Sequence, residues 1–200
     1  MKKQLPIGIN SFEKIISNNC VYIDKTQFVY ELANHYGYYF LSRPRRFGKS
    51  LLLDTFKCLF EGKKELFEGL YIYDKWNWNK KFPVIKIDFA SGDLSKTDKL
   101  IEKIFKILED NYQYHDIPYQ PTSNYNITFQ TLVQKVNKKY QQRVVILIDE
   151  YDKPILDCIT DIQTAIKHRD ILRDLYSVIK GSDEILQFAF LTGVSKFSKM

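Results

Sequence analysis

Gly48, Lys49 and Ser50 stand together at the end of an arginine-rich stretch, Arg43-Pro44-Arg45-Arg46-Phe47-Gly48-Lys49-Ser50. A glycine, a lysine and a hydroxyl in that order suit a phosphate cradle. The glycine lets backbone N–H groups close on phosphate oxygens, the lysine reaches the β- and γ-phosphates, and the hydroxyl holds Mg²⁺. The full pattern, G-x-x-x-x-G-K-[ST], has a first glycine where this sequence has Arg43. Arg45, Arg46, Phe47, Gly48, Lys49, Ser50 and Leu51 are the candidate nucleotide-binding residues, with ATP and Mg²⁺ the expected ligands. Three readings of Arg43, Arg45 and Arg46 stay open: contact with the triphosphate or its transition-state charge, contact with nucleic acid, or a solvated basic loop.

The acidic pair Asp149-Glu150 closes the apolar run Val144-Val145-Ile146-Leu147-Ile148. Asp149 would orient a Mg²⁺-bound water, so Ser50 and Asp149 are the candidate metal residues. Glu150 would act as base or positioner for water attacking the γ-phosphate. Thr192 and Ser195 follow a later apolar run, where a polar side chain could reach the γ-phosphate or the attacking water. The expected catalytic residues are Glu150, Lys49 and Thr192. His35, His115 and His168 are isolated from one another and from any cysteine at ligand spacing, so neither a histidine metal site nor a triad is supported.

A bare Gly-Lys-Ser tripeptide recurs by chance in on the order of one chain in ten of this length, so the flanking elements decide. Tyr38-Tyr39-Phe40-Leu41 reads as a strand leaving its sheet at Arg43-Pro44, and Leu51, Leu52, Phe56, Leu59 and Phe60 recur at helical spacing up to a stop at Gly62. Strand, loop and helix in that order is the setting a phosphate cradle needs. Residues 66–82 form an aromatic-rich connector that either caps the core or lines a pocket. Residues 83–89 alternate as a second strand, and 100–108 mark a helix that Ser95 or Thr97 could cap. Residues 111–126 are polar and read as a loop, 129–136 as a helix, 165–179 as a further helix, and 186–191 as a fourth strand. The run at 144–148, largely β-branched, is expected of a central strand covered on both faces. Strands alternating with helices give an α/β fold with a parallel sheet flanked by helices on both faces.

Composition fits this reading. The chain has 200 residues, 44% apolar and 27% charged, enough for one sizeable core. A net charge of +6 favours phosphorylated or nucleic acid partners electrostatically without selecting one. Three cysteines without a C-x-x-C pair suggest neither a disulfide framework nor a zinc site, so a cytoplasmic location is expected. No apolar h-region follows Met1-Lys2-Lys3 and no run approaches a membrane span, so no membrane association is expected. The chain breaks off after a strand-like segment and reads as a fragment of something longer.

At this point several segments resemble a known family. They are Leu5-Pro6-Ile7-Gly8, Tyr22-Ile23-Asp24-Lys25-Thr26, the loop Arg43 to Ser50, Asp149-Glu150-Tyr151-Asp152-Lys153-Pro154, and Thr192-Gly193-Val194-Ser195-Lys196-Phe197-Ser198. The chain is similar to the bacterial and archaeal AAA-ATPase-like proteins, P-loop NTPases often fused to a C-terminal nuclease-like domain, which share the absent first glycine. The resemblance implies an ATPase core with an inserted strand, incomplete at its C-terminus here, spanning 1–200 as one domain. It also implies a Walker B glutamate, Thr192 or Ser195 in a sensor position, and Tyr22 to Thr26 near the nucleotide base. No acidic-x-Lys constellation is left over for a nuclease. Two functions follow: ATP hydrolysis, or a nucleotide-gated module that binds a protein or nucleic acid partner with little turnover.

Overall fold

In the computed structural model, which describes residues 3–195, four strands form one parallel sheet in the order β1-β4-β3-β2. They are β1 (Gly37–Ser42), β2 (Val84–Asp88), β3 (Val144–Asp149) and β4 (Leu186–Gly193). The helices are α1 (Phe12–Ser17), α2 (Thr26–Ala33), α3 (Lys49–Phe60), α4 (Thr97–Tyr114), α5 (Tyr125–Tyr140), α6 (Lys153–Leu156) and α7 (Ile162–Gly181). Every residue of β3 is buried, which is why its sequence is a continuous apolar run rather than an alternation. β4 lies between β1 and β3, the inserted strand that the family resemblance implied.

Two apolar layers sandwich the sheet. On one face Phe56, Leu59 and Phe60 of α3 meet Val145, Leu147, Phe188 and Phe190, with Phe12 of α1 and Val29 of α2 in the same cluster. On the other, α4, α5 and α7 pack through Leu100, Ile104, Leu132, Val136, Leu172 and Leu175 against Ile85, Ile87, Ile146 and Ala189. The connector at 66–82 caps the first layer, with Phe67, Ile72 and Trp76 buried in it. No described helix is long and apolar enough to cross a membrane.

Two local expectations are corrected. Neither Ser95 nor Thr97 caps α4; its cap position is Lys96, which makes no side-chain cap bond. The polar stretch at 111–126 is not all loop, because α4 continues to Tyr114 and α5 begins at Tyr125. The reason is Asn111, buried in α4: its side chain accepts from Lys86 N–H at 3.0 Å and donates to Lys86 O at 2.8 Å, completing the outer edge of β2. In addition, α1 and α2 precede β1 where no clear periodicity announces them. The start of α2 is tied to the connector by Asp24, which accepts N–H bonds from Thr26 at 2.8 Å and Tyr71 at 2.7 Å.

Candidate functional site

Parallel strands end together, so β1, β4, β3 and β2 deliver Ser42, Gly193, Asp149 and Asp88 to one edge of the sheet. Side chains alternate between faces with a period of two residues. Because Phe190 and Leu147 pack on the α3 face, Thr192 and Asp149 point to that face as well. Register aligns Leu41 with Thr192, and Asp88 with Asp149. The loop from Arg43 to Gly48 leaves β1 two strands from β3, about 10 Å at ordinary strand spacing.

The loop folds without a glycine at position 43. Left-handed backbone occurs instead at Arg46 (φ 68°) and Gly48 (φ 74°), and Arg43 donates its N–H to Gly193 O at 3.1 Å. A Cβ at Gly48 would meet nothing within 4 Å, so the space over it is open. Gly48 caps α3 without a side-chain bond, leaving the first-turn N–H groups and the positive end of the helix dipole toward that space. Ser50 lies in this turn, half-buried, while Leu51 packs its side chain on the core and has only its backbone to offer. Arg43, Arg45, Arg46 and Phe47 are exposed, Phe47 to 67%. Lys49 is only 6% exposed, and its ammonium donates to Arg43 O at 3.0 Å and Pro44 O at 3.2 Å.

Across the crevice, Asp149 is buried, and its Oδ1 accepts the Thr192 hydroxyl at 2.6 Å and the Glu150 N–H at 3.1 Å. Thr192 is fully buried by this contact. Glu150 follows in left-handed backbone, φ 50°, which a non-glycine residue holds only under constraint. Burial, and then the charge of Asp149, push the Glu150 carboxyl up, while the positive charges of Lys49 and Arg45 oppose the rise. Asp149, Lys49 and Arg45 are therefore within electrostatic reach of Glu150. Tyr151 turns back over β4: a Cβ on Gly193 would stand 2.4 Å from its ring, so this close approach requires glycine.

Ser195 sits at the same edge, offering its N–H to Asp152 and its carbonyl to the Tyr151 hydroxyl. Lys196, Phe197 and Ser198 of the motif lie outside the described residues. Asp88 is a neighbour that sequence reasoning passed over; its charge also acts on Glu150, and it pairs with Lys86 at 3.1 Å. The available signal was an acid ending a strand, the same signal that marked Asp149. Among the described residues no group of three or more His, Cys, Asp or Glu side chains could hold a metal. A hydroxyl and one carboxylate suit Mg²⁺ that takes its remaining ligands from phosphate and water.

A family model described as predicted AAA-ATPase matches residues 6–200. An uncharacterized protein from the vnfD 5' region of Azotobacter chroococcum mcd 1 is 46% identical over 200 residues, 100% of this chain and 39% of that protein. The chain thus spans well under half the length of that relative. No solved structure matches.

Proposed function

Since the chain belongs to the AAA-ATPase-like family of predicted AAA-ATPases, we propose that it binds ATP with Mg²⁺ at the carboxyl edge of the sheet and hydrolyses it there. The observation that carries the reading is the juxtaposition of buried Lys49, at an uncapped helix start, with buried Asp149 on the same face of one sheet edge. The phosphates lie over Gly48, held by backbone N–H groups of the loop and the first turn of α3. Lys49 exchanges two neutral carbonyl acceptors for anionic phosphate oxygens, a roughly twofold stronger class of hydrogen bond. Arg45 and Arg46 add positive charge at the rim. Ser50 and Asp149 would hold Mg²⁺, which when bound neutralises charge on the β- and γ-phosphates. Glu150 orients the attacking water and takes its proton. Thr192, by donating to Asp149, fixes the direction in which that carboxylate points.

A second reading, a nucleotide-gated binding module, is favoured by the exposure of Phe47 beside Arg43, Arg45 and Arg46, a surface a protein or nucleic acid partner could read. The two readings separate in one experiment. MgATP is expected to raise the melting temperature of the parent chain, and Lys49→Ala to remove that rise. Phosphate release is then measured for the parent and for Glu150→Gln, which is expected to keep binding while losing about 10²–10⁴-fold in turnover, the usual contribution of a positioned base. A parent that binds ATP but releases no phosphate leaves only the binding module. A parent whose melting is indifferent to ATP ends both readings.

A further inference from the structure

Asp152 occupies the cap position of α6, where an aspartate ordinarily bonds the first free N–H groups of its helix, yet it makes no such bond. Its carboxyl group is buried, 1% exposed, and reaches away to the neighbouring strand. Oδ2 accepts the N–H of Val194 at 2.9 Å and of Ser195 at 2.6 Å, the first residues beyond β4. We infer that Asp152 is a positioning residue that ties the Asp149-Glu150 turn to the entrance of the arginine-rich loop, so that occupation of the loop is transmitted to Glu150. The inference rests on the proposed ATPase reading.

The linkage can be followed bond by bond. From the acidic turn, Tyr151 N–H donates to Thr192 O at 2.9 Å, its hydroxyl donates to Ser195 O at 3.0 Å, and Asp152 holds the two N–H groups. From the opposite side, the Ser42 hydroxyl donates to Val194 O at 2.8 Å and Arg43 N–H donates to Gly193 O. Val194 is therefore gripped at its N–H by the turn that carries Glu150 and at its carbonyl by the residue that opens the loop. Arg43 then passes the connection on, because its carbonyl accepts the Lys49 ammonium. When Lys49 turns to phosphate, the Arg43 carbonyl loses that partner, and the exit of β4 is the rigid piece between it and Glu150. Tyr151 already ties the acidic turn to Thr192 and Ser195; Asp152 adds the grip on Val194 N–H, the residue whose carbonyl Ser42 holds from the other side. A buried acid serving only the fold would stabilise the chain without this directional coupling.

The test combines Ser42→Ala, which removes one hydroxyl at the rim, with Asp152→Asn, which keeps shape and removes charge. In nucleotide-free protein a double-mutant cycle on melting temperature is expected to be non-additive, the double variant falling no further than the worse single one. Additive falls overturn the linkage, whatever ATP does. With MgATP, each single variant is expected to lower kcat about tenfold or more while leaving the Kd for ATP within about twofold, a misplacement of the reacting groups rather than a loss of binding. Asp152→Glu should recover part of the kcat. Weaker ATP binding at unchanged kcat, or a kcat loss that tracks only the unfolded fraction, assigns Asp152 a purely structural role. If Asp152→Asn does not fold, the kcat and Kd split of Ser42→Ala decides alone. A parent whose melting ignores ATP fails the ATPase reading and the coupling with it, and the cycle still reports separately whether the linkage exists.

Discussion

The two edges of the sheet are both polar, yet they are built on opposite terms. At the amino edge the charged groups are exposed and satisfied locally: Asp183 accepts the hydroxyls of Tyr36 and Tyr38, and Lys139 donates to His115 O at 2.6 Å and Asp116 O at 2.8 Å. A cavity of about 530 Å³ opens beside the start of β4, lined by Gln130, Gln134, Asn137, Ser182 and Asp183. Its left-handed residues, Asp116 and Gln141, stand at helix ends, where such backbone is ordinary. At the carboxyl edge Lys49 and Asp149 are buried charges, and Arg46 and Glu150 are left-handed in loops with no helix end to account for it. The first edge has an open polar cavity, and the second has buried charges beside a helix start. Desolvated charge and constrained backbone are what the proposed site needs, because both must be held in place by the surrounding structure.

The sharpest way to break the contrast is to remove one carboxylate from each edge. Asp149→Asn is expected to raise the Mg²⁺ concentration for half-maximal turnover by at least about 10–100-fold, since changing a residue that merely orients a metal ligand already costs that much. Asp183→Asn should leave that requirement unchanged; equal effects would mean the edges are not functionally distinct. Gly193→Ala comes next. Its methyl would stand 2.4 Å from the Tyr151 ring and 2.6 Å from Asp152 Oδ1, and neither can swing aside, since the ring packs on Phe40 and Asp152 is buried. Urea unfolding should show a loss of about 1–3 kcal/mol, the usual penalty of overpacking. An unchanged midpoint would show that the two turns are not held together. Thr192→Val keeps the volume and removes the hydroxyl that donates to the buried Asp149, so about 1.5–3 kcal/mol of stability should go. Turnover should fall with it while ATP binding stays.

Much of this contrast was legible in the sequence, though unevenly. Gly48-Lys49-Ser50 and the unbroken run before Asp149 announce themselves because their chemistry is local: a cradle needs those side chains in that order, and a strand buried on both faces admits only apolar residues. What joins them was not legible. The Thr192 to Asp149 bond depends on β4 inserting between β1 and β3, and strand order is decided by pairing between distant segments. Asp152 stands in the sequence only as part of the segment Asp149 to Pro154 that carries the family resemblance, and nothing there shows that its carboxyl leaves the helix it should cap. The short helices α1 and α2 hide for another reason. With six and eight residues they are too brief to establish a period, and they are held by tertiary contacts such as Phe12 N–H to Asp54 at 2.7 Å.

The smallest expected effect tests the amino edge alone. Hydrogen bonds from the Tyr36 and Tyr38 hydroxyls hold the Asp183 carboxyl below its ordinary value of 3.8. A group whose pKa is depressed by folding contributes stability that is present above its unfolded value and is lost as pH falls through the folded one. Acidification below about pH 4 should therefore weaken this contact, and Asp183→Asn, which lacks the charge at every pH, should be slightly less stable than the parent at neutral pH, show a flatter acid limb and meet the parent at low pH. Because the carboxylate is solvated, the change should be small and should shrink further in salt. ATP affinity measured at neutral pH should not respond to the substitution. A shift in ATP affinity would connect the two edges through β4, whose start carries Asp183 in the preceding turn and whose end carries Thr192.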